Sequence, residues 1–212
     1  MFMKDKVSKL KSKFLALAIA EVPFSGWTDE LLQIIEQKMD LESGYSMILF
    51  ESGIKDLIVF YEKTQDQNML DALASHKVEL RVREKIALGV KTRINSKNKA
   101  SKVVLSKLMK FYSNPLNAAL GLKNMWSTVD KIWYYAGDQS TDYNYYTKRL
   151  LLSAVYSSTL MYYLSDESEQ HYKTWEFLDK RINNVLKIGN FKNIPQALNR
   201  IKNKIPFVRL IK

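Results

Sequence analysis

Residues 28–57 read TDELLQIIEQKMDLESGYSMILFESGIKDL, a stretch in which two apolar segments with helical spacing flank a short polar connection. Thr28 is a favourable N-cap, because its hydroxyl can accept a hydrogen bond from a backbone N–H at a helix start. Trp27 precedes this cap and Leu32 lies four residues after it, which is the spacing of a hydrophobic staple. The stretch therefore predicts a helix, a turn with a short helix, and a further helix, the order of a helix-turn-helix head.

Helical periodicity continues along the rest of the 212 residues, and 7 Gly and 4 Pro are too few for the turns of an all-β fold. We expect an all-α protein with a single domain over 1–190, comprising a head (4–74) and a bundle (77–190), followed by an amphipathic tail (191–212). The N-terminal helices resemble the head of TetR-type repressors, so the expected fold is a TetR-like helical bundle. The predicted helices are 4–21, 28–39, 44–50, 54–74, 77–94, 99–112, 115–136, 142–164, 167–188 and 194–205.

The charge of the head argues against a nucleic-acid partner. The chain carries a net charge of +11, but residues 14–76 hold three basic and eleven acidic side chains. Residues 41–50, which include the helix that would enter a DNA groove, contain Glu42 and no basic residue. DNA binding requires Lys or Arg to neutralise phosphates, so we expect a degenerate head. A TetR-type transcriptional regulator that senses an apolar ligand remains the alternative function.

The residues needed for catalysis are sparse. The chain has no cysteine and two histidines, and no HExxH, ExxH or glycine-rich phosphate loop is present. Asp138 and Asp142 flank a predicted turn, where capping is commoner for Asp than acid–base chemistry. We therefore predict no catalytic residue, no metal ligand and no cofactor, and we expect that the protein is not an enzyme.

The predicted eighth helix contains LLLSAVYSSTLMYYL at 150–164, which carries no charge. At 15 residues it is too short to span a bilayer, and a helix that is apolar all round is typically buried at the centre of a fold. Ser153, Ser157 and Ser158 are small enough to admit either a neighbouring backbone or a ligand. Helix packing is the simpler interpretation, and a pocket wall is the alternative.

The C-terminal segment combines an apolar stripe with positive charge. Residues 187–212 hold seven basic side chains and no acidic one. A basic amphipathic helix is typical of a protein that lies on an anionic membrane, although a helix packed on its own domain would show the same stripe. The residues expected to contact membrane are Leu198, Arg200, Ile201, Lys204 and Ile205.

The stretch IWYYAGDQSTDYNYYTKR at 132–149 is rich in aromatic residues. Asp130, Trp133 and Tyr134 follow i, i+3, i+4 spacing, which places them on one partly exposed face of the seventh helix. We call these three residues the docking patch, because aromatic side chains beside a charge are typical of protein interfaces. The opposite face of this helix is predicted to belong to the core and carries Leu122, Met125, Val129, Ile132 and Ala136.

Three segments closely resemble one family: EVPFSGWT at 21–28, WYYAGDQSTDYNYYTKR at 133–149 and TWEFLDKRINNV at 174–185. They are similar to the coenzyme Q biosynthesis accessory proteins called Coq nine, in their bacterial form. The resemblance implies a homodimer with a TetR-like fold that binds no DNA and holds isoprenoid quinone or phospholipid in an apolar cavity. It also implies that the docking patch contacts the demethoxyubiquinone hydroxylase.

The cavity residues have no motif of their own, and Leu151, Val155 and Leu160 of the eighth helix are the candidates for the cavity wall.

We read no targeting peptide at the start, because the apolar stretch 14–20 is short and is flanked by Asp5 and Glu21. The expected location is the bacterial cytoplasm, peripherally on the cytoplasmic face of the inner membrane.

Overall fold

A computed structural model of the protein describes residues 2–76, 78–95 and 99–189, and over these ranges it contains helices and no strand. The all-α prediction is therefore confirmed. The helices are α1 (Phe2–Ser25), α2 (Asp29–Lys38), α3 (Tyr45–Leu49), α4 (Ile54–Ala74), α5 (Val82–Ile94), α6 (Lys99–Tyr112), α7 (Pro115–Tyr135), α8 (Tyr143–Ser165) and α9 (Tyr172–Gly189).

Short polar side chains begin three of these helices. Thr28 accepts a hydrogen bond from the backbone N–H of Leu31 at 3.3 Å, as its position predicted. Asn114 caps α7 in the same way, with Pro115 at the first helical position. Asp142 caps α8 through a 3.0 Å bond from the N–H of Asn144, which is the capping role that the sequence predicted.

The predicted starts of α5 and α9 were wrong by about a turn. Helix α5 begins at Val82, where the carboxylate of Glu84 accepts the backbone N–H of Arg81 at 2.8 Å. A short 3₁₀ turn, Glu169–His171, precedes α9, and Gln170 has a φ of 48° that a continuous helix does not allow. The carboxylate of Asp166 then accepts the N–H of Thr174 at 2.9 Å and supports the first turn of α9.

The buried apolar side chains form two clusters that share helices. The first joins α1 to α4 with Val104 and Leu108 of α6, and the indole N–H of Trp27 donates to the Val104 carbonyl at 3.4 Å. The second joins α5, α7, α8 and α9 with Leu105 of α6 and with Met69 and Leu73 at the end of α4. Because α4 and α6 contribute to both clusters, head and bundle are packed together. Their sequence boundaries stay a prediction.

Helix α8 is not buried all round, contrary to the sequence-based expectation. Tyr156 and Tyr163 lie in the second cluster, whereas Leu150 is 63% exposed and Met161 is 59% exposed. One side of α8 therefore presents apolar side chains to solvent within the described part of the chain. At the start of α8, Tyr143 and Tyr146 are also exposed.

None of the helices described by the structure is long and apolar enough to cross a membrane. The predicted amphipathic helix 194–205 falls outside the described residues, and the five residues expected to contact membrane fall outside them too. Those residues are Leu198, Arg200, Ile201, Lys204 and Ile205.

Candidate ligand pocket and docking surface

A cavity of about 310 Å³ lies between α6, α7 and α8. Its wall is mostly apolar, and α4 and α5 each contribute one charged residue to it. The sequence-based wall candidates all lie on α8, and α6 and α7 also line the cavity. The lining residues are Glu62, Arg93, Leu105, Leu108, Met109, Tyr112, Ala118, Gly121, Leu122, Met125, Thr128, Tyr156, Ser157, Leu160 and Met161.

The open side of this cavity is apolar. Leu122 of α7 and Met161 of α8 both line the cavity and are 62% and 59% exposed. Leu122 was predicted to belong to the core face of α7. That prediction was wrong, because Leu122 lies at the open side of the cavity, whereas Val129 and Ile132 further along the same face are fully buried.

The inner side of the cavity is polar and charged. Arg93 donates from Nε to Asp66 Oδ1 at 2.8 Å and from Nη2 to Glu62 Oε2. Lys131 Nζ and the Thr128 hydroxyl also donate to Asp66, each at 2.7 Å. We call Glu62, Asp66, Arg93 and Lys131 the inner cluster.

Burial alone would disfavour the charge of Arg93, whose side chain is 2% exposed. The neighbouring Tyr156, Glu62 and Asp66 outweigh that penalty and raise the pKa of Arg93 above its usual value. The guanidinium is therefore always charged, and its two carboxylate partners compensate it in a site shielded from water.

Two tyrosines border the inner cluster. The Tyr112 hydroxyl donates to Glu62 Oε1 at 3.1 Å and accepts from Asn124 Nδ2 at 2.9 Å. Tyr156 is 7% exposed and lines the cavity. Burial raises the pKa of Tyr112, and it raises the pKa of Tyr156 to about 12, so both phenols are protonated at neutral pH.

The three candidate wall residues of α8 separate in the structure. Leu160 lines the cavity. Val155 is 3% exposed and packs within the second apolar cluster, and Leu151 is half-buried outside the cavity lining. The candidates were chosen from an apolar run in which every position looked alike, so periodicity could not show which side faced the cavity.

Sequence analysis missed the polar residues of the pocket. Glu62 and Asp66 lie one turn apart on α4, and Arg93 lies in the last turn of α5. The available signal was that Glu62, Asp66 and Arg93 lie on predicted helices that also carry apolar residues. The sequence could not show that Arg93 pairs with Asp66 and Glu62, because these partners are 27 and 31 residues away from it in the chain.

The docking patch is only partly as expected. Tyr134 is 79% exposed, but Trp133 is half-buried, and its indole N–H donates to the Lys148 carbonyl at 3.0 Å. Asp130 has a side chain that is 41% exposed, and its Oδ1 accepts Arg149 Nε at 2.6 Å. Tyr134 therefore points to solvent, while its two neighbours are held by α8.

The turn between α7 and α8 is held by a second buried ionic group. Asp138 accepts Lys148 Nζ at 2.6 Å and Arg149 Nη1 at 2.9 Å. Burial favours the protonated acid, but these bonds and one from the Ser140 hydroxyl outweigh it and lower the pKa of Asp138 to about 2. An ionised, paired carboxylate stabilises the turn, and such a group is poorly suited to acid–base catalysis at neutral pH.

Helix α3, in the position of a DNA-reading helix, has five residues and an apolar outer surface. Met47 and Ile48 are 50% and 73% exposed. The carboxylate of Glu36 accepts the backbone N–H groups of Ser46 at 2.7 Å and Gly44 at 3.1 Å. The Glu36 carboxylate therefore already accepts the backbone N–H groups that would otherwise be available to bind a phosphate at the start of this helix.

The chain is similar in sequence to proteins of one family. The COQ9 family model matches residues 118–189, which include the docking patch and the whole of α8 and α9. A ubiquinone biosynthesis protein coq9 from Dictyostelium discoideum, mitochondrial and described as probable, is 32% identical over 196 residues. That alignment covers 87% of this chain and 62% of the relative. The chain belongs to the COQ9 family.

The mitochondrial ubiquinone biosynthesis protein COQ9 of Homo sapiens is 29% identical, over 88% of this chain and 60% of the human protein. The chain thus spans about three fifths of the length of these COQ9 relatives. Their names place them in ubiquinone biosynthesis and state no enzymatic activity.

A TetR transcriptional regulator from Nitrosomonas europaea has a similar structure, with a TM-score of 0.64 and 16% identity. The match covers 82% of this chain and 97% of the regulator. This likeness confirms the TetR-like fold predicted from the sequence, and at this identity it concerns the fold alone.

Proposed function

We propose that this COQ9-family chain is a lipid-binding accessory protein of ubiquinone biosynthesis. It holds an isoprenoid quinone intermediate or a phospholipid chain in the cavity between α6, α7 and α8 and does no chemistry itself. The observation that carries the proposal is a mostly apolar cavity of about 310 Å³ in a relative of ubiquinone biosynthesis proteins. Ligand pockets commonly begin at about 300 Å³, and the open side allows a longer chain to extend outwards.

Blocking the cavity tests this function. Ser157→Trp places a bulky indole in the cavity wall, and we expect lipid that co-purifies with the protein to fall about tenfold or more, since ~1.4 kcal/mol of lost binding corresponds to tenfold. Mass spectrometry of extracted lipid, normalised to protein, measures the effect.

Ser158→Trp is the matched control, because Ser158 is the next residue, is also half-buried and lies outside the cavity lining. Both hydroxyls donate to a carbonyl of their own helix, at 2.8 Å for Ser157 and 2.7 Å for Ser158. Equal lipid content in the two variants and the unmodified protein would contradict binding in this cavity.

The proposed protein partner is the demethoxyubiquinone hydroxylase, which the docking patch would contact. The exposed ring of Tyr134 supports this role, and Arg149 holds Asp130 in place beside it. Tyrosine is enriched among the residues that contribute most to binding at protein interfaces. The accessory role follows from combining this surface with the cavity: one site holds the lipid and the other holds the enzyme.

We also propose that the basic amphipathic tail brings the protein to a membrane surface. Its seven basic side chains over 187–212 and its apolar stripe support this role. Deletion of residues 192–212 should leave a folded protein whose binding to anionic liposomes drops about tenfold or more, measured by liposome sedimentation. Unchanged sedimentation would contradict the role, and neutral liposomes serve as the control for charge.

A homodimer is the proposed assembly, and the exposed apolar side of α8 supports it. Leu150 and Met161 lie on that side, and each residue is more than half exposed.

The relatives are mitochondrial, and for this chain a peripheral position on the cytoplasmic face of a bacterial inner membrane stays a prediction. The acidic head and the occupied start of α3 favour this function over that of a DNA-binding regulator.

A further inference from the structure

We infer that the head of this protein binds the basic tail (191–212) of a second copy of the same chain. The docking site is the outer side of α3, the helix that lies in the position of a DNA-reading helix. The inference goes beyond the proposed function, because it assigns a partner to a surface that neither the cavity nor the docking patch includes.

The outer side of α3 is apolar and accessible. Met47 and Ile48 are adjacent in the chain and are 50% and 73% exposed, whereas Leu49 of the same helix is buried in the first apolar cluster. An exposed apolar patch with a polar rim is typical of an interaction site. The chemistry of the rim therefore indicates what kind of partner fits.

Exposed carboxylates border this apolar side. Glu42 precedes α3 and Glu51 follows it, and both residues are exposed. Asp29, at the start of α2, is exposed as well. Its Oδ1 lies 3.2 Å, and Met47 Sδ lies 3.9 Å, from the position that a Cβ on Gly53 would take, so these two side chains are neighbours. Complementary charge across an interface favours a cationic partner for this surface.

Few cations of the head offset these carboxylates. Within residues 14–76 the basic side chains are Lys38, Lys55 and Lys63. Lys38 is already paired with Glu21, at 2.5 Å. From α1, Lys11 lies over the ring of a residue that follows α3, with Nζ 5.2 Å from the ring centroid. The head stays acidic around α3, and a fitting partner combines apolar side chains with several positive charges.

The tail of this chain has that composition. Residues 187–212 carry seven basic side chains and no acidic one, and the helix predicted over 194–205 has an apolar stripe. Leu198 and Ile201 belong to the stripe, and Lys202 and Lys204 lie off it. The stripe would cover Met47 and Ile48 while the lysines meet the acidic rim.

The direction of α9 carries the tail away from its own head. The start of α4 belongs to the first apolar cluster and its end to the second, and the last turn of α5 pairs with the middle of α4. Helix α5 therefore runs back towards the head. Lys91 Nζ lies 5.2 Å from the centroid of the Trp175 ring, and Arg83 Nη2 lies 3.9 Å from Asp179 Oδ1. Helix α9 is thus antiparallel to α5 and ends at the far end of the bundle.

The tail is too short to return to its own α3. The 21 residues of α4 span about 30 Å, and the part of α9 beyond Asp179 adds about 15 Å. Residues 190–193, which precede the predicted tail helix, span at most about 14 Å when extended. The helix itself adds about 18 Å, which leaves its far end short of α3. The head of a second copy is therefore the site that a helical tail can occupy.

Carbodiimide crosslinking of the full-length protein tests this contact, because the reagent joins a lysine amine to a carboxylate that touches it. Unlabelled and isotopically labelled protein are mixed and equilibrated so that copies exchange, and mass spectrometry then separates crosslinks between copies from those within one. We expect crosslinks between copies that join Lys202 or Lys204 to Glu42 or Glu51.

Ile48→Arg removes an apolar contact and adds a repelling charge without a new amine for the reagent. It should reduce these crosslinks about tenfold or more, as expected for ~1.4 kcal/mol of lost binding. Leu116→Arg is the matched control, since Leu116 is 83% exposed on α7, outside the head. It should leave the crosslinks within about twofold, because surface residues outside an interface contribute little. The thermal midpoints of both variants check their folding.

The contact is overturned if the tail lysines form no crosslink to the head, or if they join Glu42 and Glu51 only within one copy. It is also overturned if they join the exposed Glu169 of the bundle as often, or if both variants lose the crosslinks equally. Liposome binding by the tail is a separate measurement. Its failure would contradict the proposed membrane role and leave the contact between head and tail in place.

Discussion

Arg93→Met should lower the free energy of unfolding by about 3–5 kcal/mol, the usual cost of removing one partner from a buried ionic group. The change leaves Glu62 and Asp66 without their shared cation, and the Asp66 side chain is 3% exposed. Methionine matches much of the length of arginine, so lost packing contributes little to the effect. Urea denaturation followed by circular dichroism measures the loss.

Arg83→Met is the matched control on the same helix. Arg83 Nη2 lies 3.9 Å from Asp179 Oδ1 at the surface, and the two side chains are 44% and 60% exposed. Exposed ion pairs contribute at most about 1 kcal/mol to stability. The free energy of unfolding of this variant should therefore stay within about 0.5 kcal/mol of that of the unmodified protein. Similar losses in the two variants would show that the inner cluster has no special energetic role.

Tyr134→Lys should weaken binding to the hydroxylase by about a hundredfold, which corresponds to a hot-spot residue at an interface centre. The ring is 79% exposed, so its replacement should leave the fold and the lipid content unchanged. Surface plasmon resonance with immobilised hydroxylase measures the affinity, and mass spectrometry checks the lipid.

Tyr172→Lys makes the same change at an exposed tyrosine on α9, where 56% of the residue is accessible. It should leave the affinity within about twofold, because surface residues outside an interface core contribute little. A hundredfold loss of affinity in both variants would indicate general charge repulsion. An unchanged affinity of the Tyr134→Lys variant would show that Tyr134 is not part of the interface. Trp133 is a poorer probe, because its replacement also breaks the bond to the Lys148 carbonyl.

The sequence alone determined the features that depend on neighbours a few residues apart. Thr28 and Asp142 marked helix starts correctly, since a cap needs only its own first turn. The alternation of helices and the acidic head predicted a TetR-like fold with a degenerate helix-turn-helix. The long segments similar to COQ9 proteins identified the family.

Only the tertiary structure decided which side of each helix is covered. Leu150 and Met161 of α8 are exposed although the sequence predicted a helix buried all round, because an apolar run looks alike on every side. It also brought Glu62, Arg93 and Tyr156 together from three helices at the inner side of one cavity. Such convergence depends on how distant helices pack, and no local spacing in the chain records it.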